Sequence, residues 1–133
     1  MKPLRHLVIA LSTAALLSSC SSCPFSGSQR GKIAHTVFVW LKKPGDQGDR
    51  QKLIAAAKKL KTEIPEVETV TVGQMLPSKR PIVDSTYDVG FVMRFANQAA
   101  LDRYEQNPIH QKAVKEQLLP MAKKVQVYDF VID

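Results

Sequence analysis

Residues 35–41 read HTVFVWL, a run of β-branched and aromatic side chains that predicts a β-strand. Successive side chains of a strand point to opposite faces, so the two valines and Leu41 share one face, and Phe38 and Trp40 share the other. Residues 125–132, VQVYDFVI, are also apolar on both faces. Strands of this kind are normally covered on both sides.

The rest of the chain shows clear helical and strand periodicity. It predicts helix 50–64, strand 68–76, strand 87–95, helix 98–106, helix 108–119 and strand 125–132. Asp49 and Asn97 are suitable N-caps, and Pro65 and Pro120 end two of the helices. Strict alternation places five side chains of the strand 87–95 on one face: Tyr87, Val89, Phe91, Met93 and Phe95. The order β-α-β-β-α-α-β predicts an α+β, ferredoxin-like (split βαβ) fold, with helices on one face of an antiparallel sheet.

Such a fold leaves the second face of its sheet without helices. With strands apolar on both sides, that face would be a large exposed apolar patch, which soluble monomers avoid. We therefore predict a homodimer in which two sheets pack face to face around a two-fold axis. The alternative is a monomer whose second face is covered by the loop 77–85 and the N-terminal segment.

The N-terminus reads as a targeting segment. Lys2 and Arg5 precede a nearly continuous apolar run, 7–17, which is too short to span a bilayer as a helix. Leu-Ser-Ser-Cys at 17–20 resembles the lipobox of bacterial lipoproteins, in which small side chains admit a peptidase and the cysteine thiol accepts a diacylglyceryl group. The sequence therefore predicts lipidation of Cys20.

The Leu-Ser-Ser-Cys motif divides the chain into three predicted segments. Residues 1–19 are the predicted signal peptide, 20–32 a lipidated flexible tether and 33–133 the folded domain. Ser21, rather than Asp, follows the cysteine, which resembles lipoproteins of the outer membrane. The expected location is the cell envelope, anchored through Cys20 at the periplasmic face of the outer membrane. The alternative is ordinary secretion with an unmodified Cys20.

Composition argues against several function classes. The 133 residues include 19 basic and 12 acidic ones, for a net charge of +7. The basic residues occur as scattered pairs without interleaved aromatics, so no nucleic-acid partner is expected. His35 and His110 lack metal-ligand spacing to other residues, and no Gly-rich phosphate loop or nucleophile elbow is present. We therefore predict neither a metal nor a cofactor.

Several short segments in this order are similar to the stress-responsive α/β-barrel domain family. They are HTVFVWL at 35–41, Ile64-Pro65, Val72-Gly73, DVGF at 88–91, LDRY at 101–104, NPIH at 107–110 and Asp129-Phe130. The resemblance covers the whole predicted domain. It implies a dimeric α/β barrel, although most members of the family have no assigned reaction.

The resemblance also implies two candidate catalytic residues. Tyr104 and His110 match the Tyr and His that a plant polyketide cyclase of this family uses without a cofactor. The helical stripes of the sequence independently point both side chains toward the sheet, where a neutral histidine suits general-base chemistry. The opposing interpretation is that the two rings bond to each other or to backbone and brace the bend between two helices.

Other residues are candidates for lining a ligand pocket. His35 faces the same side as Val37, although a position at the solvent-exposed strand edge is an equal alternative. Trp40 and Phe91 are candidates for contacts with a flat apolar ligand, or else belong to the core or the dimer interface.

Two classes of function remain open. The first is a dimeric, stress-related module that binds a small apolar ligand or a partner without chemistry. The alternative is a cofactor-independent enzyme, cyclase-like or oxygenase-like, that acts on a small carbonyl compound with a His base and a Tyr donor. An enzyme needs a cavity that reaches both rings, whereas a structural brace needs them packed shut.

Overall fold

The four strands form one antiparallel sheet in the order β2-β3-β1-β4, seen in a computed structural model that describes residues 28–133. The elements are β1 Ile33–Leu41, α1 Gln47–Glu63, β2 Thr69–Gln74, β3 Val89–Phe95, α2 Gln98–Gln106, α3 Pro108–Ala113, a π-helical turn Val114–Leu118, α4 Leu119–Met121 and β4 Ala122–Val131. All helices lie on one face. The predicted ferredoxin-like α+β fold is confirmed. The predicted signal peptide and Cys20 lie outside the described residues.

β1 is central in the sheet and sets the alignment of its neighbours. Val37 pairs with Phe91 of β3 on one side and with Val127 of β4 on the other. One step away on the same face, His35 pairs with Asp129. The register thus places residues distant in sequence side by side beneath the helices.

Helix α1 packs mainly over β2 and β3 with the predicted stripe. Leu53, Ala57 and Leu60 are buried, and Ile64 is buried at the C-cap. Burying each leucine or isoleucine side chain contributes about 1.5–3 kcal/mol, so these contacts hold the helix against the sheet.

The start of α1 differs from the prediction. Asp46 is the N-cap, and its side chain accepts a hydrogen bond from the Asp49 N–H at 2.8 Å. Asp49, predicted as the cap, lies in the first turn, where its negative charge favours the positive end of the helix dipole. Gly45 has a φ of +80° and makes the preceding turn, which no β-branched residue would tolerate.

The C-terminal helical segment also differs, because Pro120 does not end it. The segment passes through the π-helical turn, in which the Leu119 N–H bonds to the Val114 carbonyl, and Pro120 lies inside the final turn. Since proline has no N–H to donate, the normal helical ladder is broken at this point. The Lys42 ammonium donates to the exposed carbonyls of Leu119 and Pro120 at 3.3 and 2.9 Å.

The sheet face without helices carries an aromatic cluster. Phe38 packs edge-on against Tyr87 at 4.9 Å and Tyr128 at 6.4 Å between ring centroids. The prediction that Tyr87 shares a face with Phe91 is wrong, because β3 begins only at Val89 and Tyr87 packs on the opposite side.

The loop 77–85, which the monomer alternative places over this face, is largely exposed, and most of the N-terminal segment lies outside the described residues. Leu76 and Ile82 are 82% and 85% exposed. These two side chains therefore remain in solvent, whereas Val83 is half-buried and the Thr86 hydroxyl accepts a hydrogen bond from Trp40 on this face.

The first described residues are attached to the domain. Gly31 and Lys32, assigned by sequence to the tether, exchange backbone hydrogen bonds with Ile132 at 2.7 and 2.8 Å, and Lys32 pairs with Glu68. Within residues 28–133, no helix is long and apolar enough to cross a bilayer.

Candidate functional site

A cavity of about 490 Å³ lies between the sheet and the helices. One end is polar and is lined by His35, Tyr104, Glu105, His110 and Asp129. The remaining walls are largely apolar and include Leu53, Ala57, Val114, Leu118 and Val125. A largely apolar pocket with a few convergent polar groups is the usual form of a small-molecule site.

Tyr104 lies at the end of α2, and His110 lies in the first turns of α3. Asn107 joins the two helices: its side chain accepts from the Ile109 N–H at 2.9 Å, and Pro108 starts α3 without needing a donor. This tight junction brings the Tyr104 and His110 rings to 4.2 Å between centroids.

Tyr104 presents a protonated hydroxyl to the cavity. Its side chain is 1% exposed. Burial, and to a smaller extent the Glu105 carboxylate, raises the pKa of the Tyr104 hydroxyl well above its ordinary value. Among residues 28–133 this hydroxyl has no hydrogen-bond partner, so it is available as a donor to a ligand.

The environment of His110 favours the neutral imidazole. Burial lowers the pKa of its imidazole below the ordinary value; the hydrogen bond to the Glu105 carbonyl opposes this shift, and nearby His35 adds to it. The Glu105 carbonyl lies 3.4 Å from Nδ1 and can only accept, which favours the tautomer with its proton on Nδ1. In that tautomer Nε2 keeps the lone pair that a base needs.

Asp129 completes a second histidine pair that the sequence did not indicate. Its Oδ1 lies 2.6 Å from Nδ1 of His35, and the His35 ring is edge-on to Tyr104 at 6.0 Å. A carboxylate on Nδ1 orients an imidazole and directs Nε2 toward a reactant, as in hydrolase triads. The only signal in the sequence was a charged residue on the apolar side of the last strand.

The structure brings together five of the six residues predicted for catalysis or ligand binding. His35, Val37, Phe91, Tyr104 and His110 all line the cavity.

Trp40 does not line the cavity, so its predicted place in the ligand pocket is wrong. Its indole lies on the opposite sheet face, where Nε1 donates to the Thr86 hydroxyl at 2.8 Å and the Lys124 ammonium lies 4.2 Å from the ring centroid. Alternation along β1 explains the difference, because Trp40 is an odd number of residues from Val37.

No cluster of three or more His, Cys, Asp or Glu side chains able to hold a metal ion occurs in the described part of the chain. The groups available for chemistry at this site are the two imidazoles, the Tyr104 hydroxyl and the carboxylates.

The sequence pattern of the family described as the stress responsive A/B barrel domain matches residues 33–132. The chain belongs to this family. A Dabb family protein with a ferredoxin-like fold from Mesorhizobium loti is 31% identical to this A/B barrel chain, with 78% of this chain and 99% of that chain covered and a TM-score of 0.64. Among curated proteins, none matches.

Two further solved structures share the A/B barrel fold at lower identity. A dimeric protein of ferredoxin-like fold from Bacteroides fragilis is 18% identical, with 77% of this chain and 98% of that chain covered and a TM-score of 0.63. The hydroxynitrile lyase of Passiflora edulis is 20% identical, with 77% and 94% covered and a TM-score of 0.68. The Bacteroides fragilis protein is dimeric, which is the assembly that the sequence predicts for this chain.

Proposed function

We propose that the cavity is a cofactor-independent acid–base site acting on a small, largely apolar carbonyl compound. The observation that carries this proposal is that one open cavity reaches both the Tyr104 and His110 rings. A structural brace would have these rings packed shut. His110 is the general base and Tyr104 the hydrogen-bond donor.

The reaction step is removal of a proton from the carbon next to the carbonyl. Nε2 of His110 takes the proton. The C–H electron pair forms a C=C bond, and the π pair of the carbonyl moves onto its oxygen, which becomes the enolate oxygen. The Tyr104 hydroxyl donates to that oxygen. The His110 imidazolium exchanges its Nε2 proton with solvent and then delivers a proton, or in D₂O a deuteron, to the α-carbon, which restores the carbonyl and the neutral base. A donor aimed at a developing oxyanion in a water-poor site contributes strongly to lowering the barrier.

The lining defines the substrate class. Asp129 and Glu105 place carboxylates at the polar end, so an anionic substrate is disfavoured and a neutral carbonyl group is preferred. The apolar walls suit a short alkyl or aryl tail. One solved protein of this fold is a hydroxynitrile lyase, which supports enzymatic chemistry as compatible with the architecture.

The test is exchange of the α-protons of 2-heptanone in D₂O, followed by NMR with residues 28–133. We expect the protein to accelerate exchange above the buffer rate and Tyr104→Phe to slow it by about 10²-fold. Tyr87→Phe is the matched control, because Tyr87 lies on the other sheet face and its loss should leave the rate unchanged. Binding of 2-heptanone without exchange would overturn the catalytic proposal and favour the non-catalytic ligand module.

We also propose that the domain is anchored in the cell envelope through lipid on Cys20. The support is the run 7–17 followed by Leu-Ser-Ser-Cys. Each buried acyl CH₂ contributes about 0.8 kcal/mol, so two or three chains hold a protein firmly on a membrane.

Cys20→Ser in the full chain is expected to move the protein from the membrane pellet to the soluble fraction of a bacterial host. Cys23→Ser, three residues away, should remain in the pellet. Retention of the Cys20→Ser protein in the membrane would contradict the anchor.

A further inference from the structure

Two surface depressions lie outside the cavity, on the solvent side of the helices. They have volumes of about 540 and 410 Å³, and both lie between α1 and the C-terminal helical segment, residues 108–121. Both are lined by Ala56, Lys59, Glu116 and Gln117, so they adjoin each other and form one groove. We call it the outer groove.

The outer groove and the cavity share a wall. Ala56 of α1 and Gln117 of the π-helical turn line the cavity as well as both depressions of the groove. Leu60 and Ala113 also line both the cavity and the groove. The two spaces are therefore separated here by a single layer of side chains. We call these four residues the helix seam.

The helix seam is only lightly filled. Two of its four side chains, those of Ala56 and Ala113, are single methyl groups. Both alanines are half-buried, whereas Ala57, the next residue of α1, is 4% exposed against the sheet. Tightly packed helices fill the grooves between them with side chains. The incomplete burial of the two alanines shows that the helices do not close over them.

Gln117 is the side chain of the seam that is free to move. It is exposed, and its amide forms no hydrogen bond within residues 28–133. A change of rotamer therefore breaks no polar interaction, and exposed side chains change rotamer within picoseconds to nanoseconds. The π-helical turn that carries Gln117 is a form of helix found frequently at functional sites.

We propose that the helix seam is the passage by which small apolar molecules enter the cavity, and that Ala56 and Gln117 set its width. A molecule in the outer groove reaches the apolar walls of the cavity by displacing the Gln117 side chain. The backbones of two helices limit how far the seam opens, so unbranched tails enter faster than bulky rings. This inference rests on the proposed function in treating the cavity as a ligand site, and it adds the route to that site.

Entry can be measured without catalysis by labelling a cysteine inside the cavity. Residues 28–133 contain no cysteine, and they include the whole family domain, 33–132. Val37 of β1 lines the cavity and is 3% exposed, and cysteine is similar to valine in size. Val37→Cys protein is treated with methyl methanethiosulfonate, and the rate of methylthiolation is followed by mass spectrometry.

We expect Ala56→Phe to slow the labelling of Val37→Cys at least about tenfold, which corresponds to about 1.4 kcal/mol more in the barrier to entry. Gln117→Trp should slow it as well, and this change needs no repacking because Gln117 is exposed. Ala55→Phe and Lys115→Trp are the matched controls. Both positions are exposed and neither lines the cavity, so the labelling rate should not change.

Three outcomes would overturn the passage. An unchanged rate in both seam variants would show that molecules reach the cavity by another route. Equal slowing by the two controls would show a general change in the helices, and absence of labelling in Val37→Cys would show a cavity closed to small molecules.

The proposed function fails by a different result. Labelling that depends on the seam, in a protein that does not accelerate α-proton exchange of 2-heptanone, would overturn the catalytic proposal and leave the passage standing. Accelerated exchange with labelling that is insensitive to the seam would overturn the passage alone.

Discussion

Replacing His110 by alanine is expected to lower α-proton exchange of 2-heptanone by about 10²- to 10⁴-fold, the usual contribution of a general base. The fold should survive, because His110 is only partly buried and its one hydrogen bond, to the Glu105 carbonyl, is long at 3.4 Å. NMR exchange rates and a thermal melt of the same protein provide the two measurements.

The pH profile distinguishes a base from a structural residue. Burial lowers the pKa of His110, so its neutral, active form persists to pH values below the ordinary histidine range near 6.5. The exchange rate should be flat at neutral pH and should fall only when the pH drops through this lowered pKa. A structural brace would instead show a lower melting temperature in His110→Ala and no pH-dependent step in the rate.

Asp129→Asn tests the contribution of the His35–Asp129 pair. It keeps the size of the side chain but removes the charge that orients His35. If His110 is the base, this change should lower the rate while leaving the position of its pH step nearly unchanged. Full activity in His110→Ala together with a lost rate in Asp129→Asn would assign the base to His35.

Replacing Asp88 by alanine is expected to cost about 3–5 kcal/mol of unfolding free energy. The carboxylate is buried and accepts three hydrogen bonds, from the Leu41 N–H at 2.9 Å, the Gly45 N–H at 2.7 Å and the Arg50 guanidinium at 2.9 Å. Without it, a largely buried guanidinium and two backbone donors lose their partner. Urea denaturation at neutral pH measures the loss.

The control for this change is Asp102→Ala, on the exposed surface of α2. Asp102 accepts one exposed hydrogen bond, from Gln98 at 2.8 Å, so its removal should cost less than about 1 kcal/mol. Equal costs for Asp88→Ala and Asp102→Ala would refute the conclusion that the three buried hydrogen bonds to Asp88 stabilise the fold.

The stabilisation by Asp88 also has a defined pH range. Burial raises the pKa of this carboxyl, but the hydrogen bonds from Leu41, Gly45 and Arg50 outweigh burial and hold the pKa below its ordinary value. The charged form is therefore favoured in the folded state. Its contribution is complete above the unfolded value near 4 and is lost as the pH falls through the lower folded value. The stability difference between the natural protein and Asp88→Asn should shrink over that acidic range.

Local patterns predicted the elements well where the side chains alone determine the outcome. The alternation in HTVFVWL identified β1 and its two faces, and the stripe of α1 identified the side that packs on the sheet. Errors arose at element ends. Tyr87 was placed on the wrong face because the strand was started two residues early, and Pro120 was expected to stop a helix that instead continues through a π-helical turn.

The candidate site was predictable only in part. Tyr104 and His110 lie six residues apart, and a capped helix junction brings them together, so the sequence contained the information. The His35–Asp129 pair joins residues 94 positions apart, and only the register between β1 and β4 places them in contact. Periodicity says which face a residue takes, but it contains no information about which strands are neighbours.

By itself, the sequence determined the element order, the apolar character of both sheet faces and the need for a covering partner, because side-chain alternation and helical stripes are local properties. Only the tertiary structure decided that an open cavity separates the helices from the sheet and that Asp129 meets His35 at its polar end. Those features depend on strand register and on where each helix crosses the sheet, and both are set by packing between segments far apart in the chain.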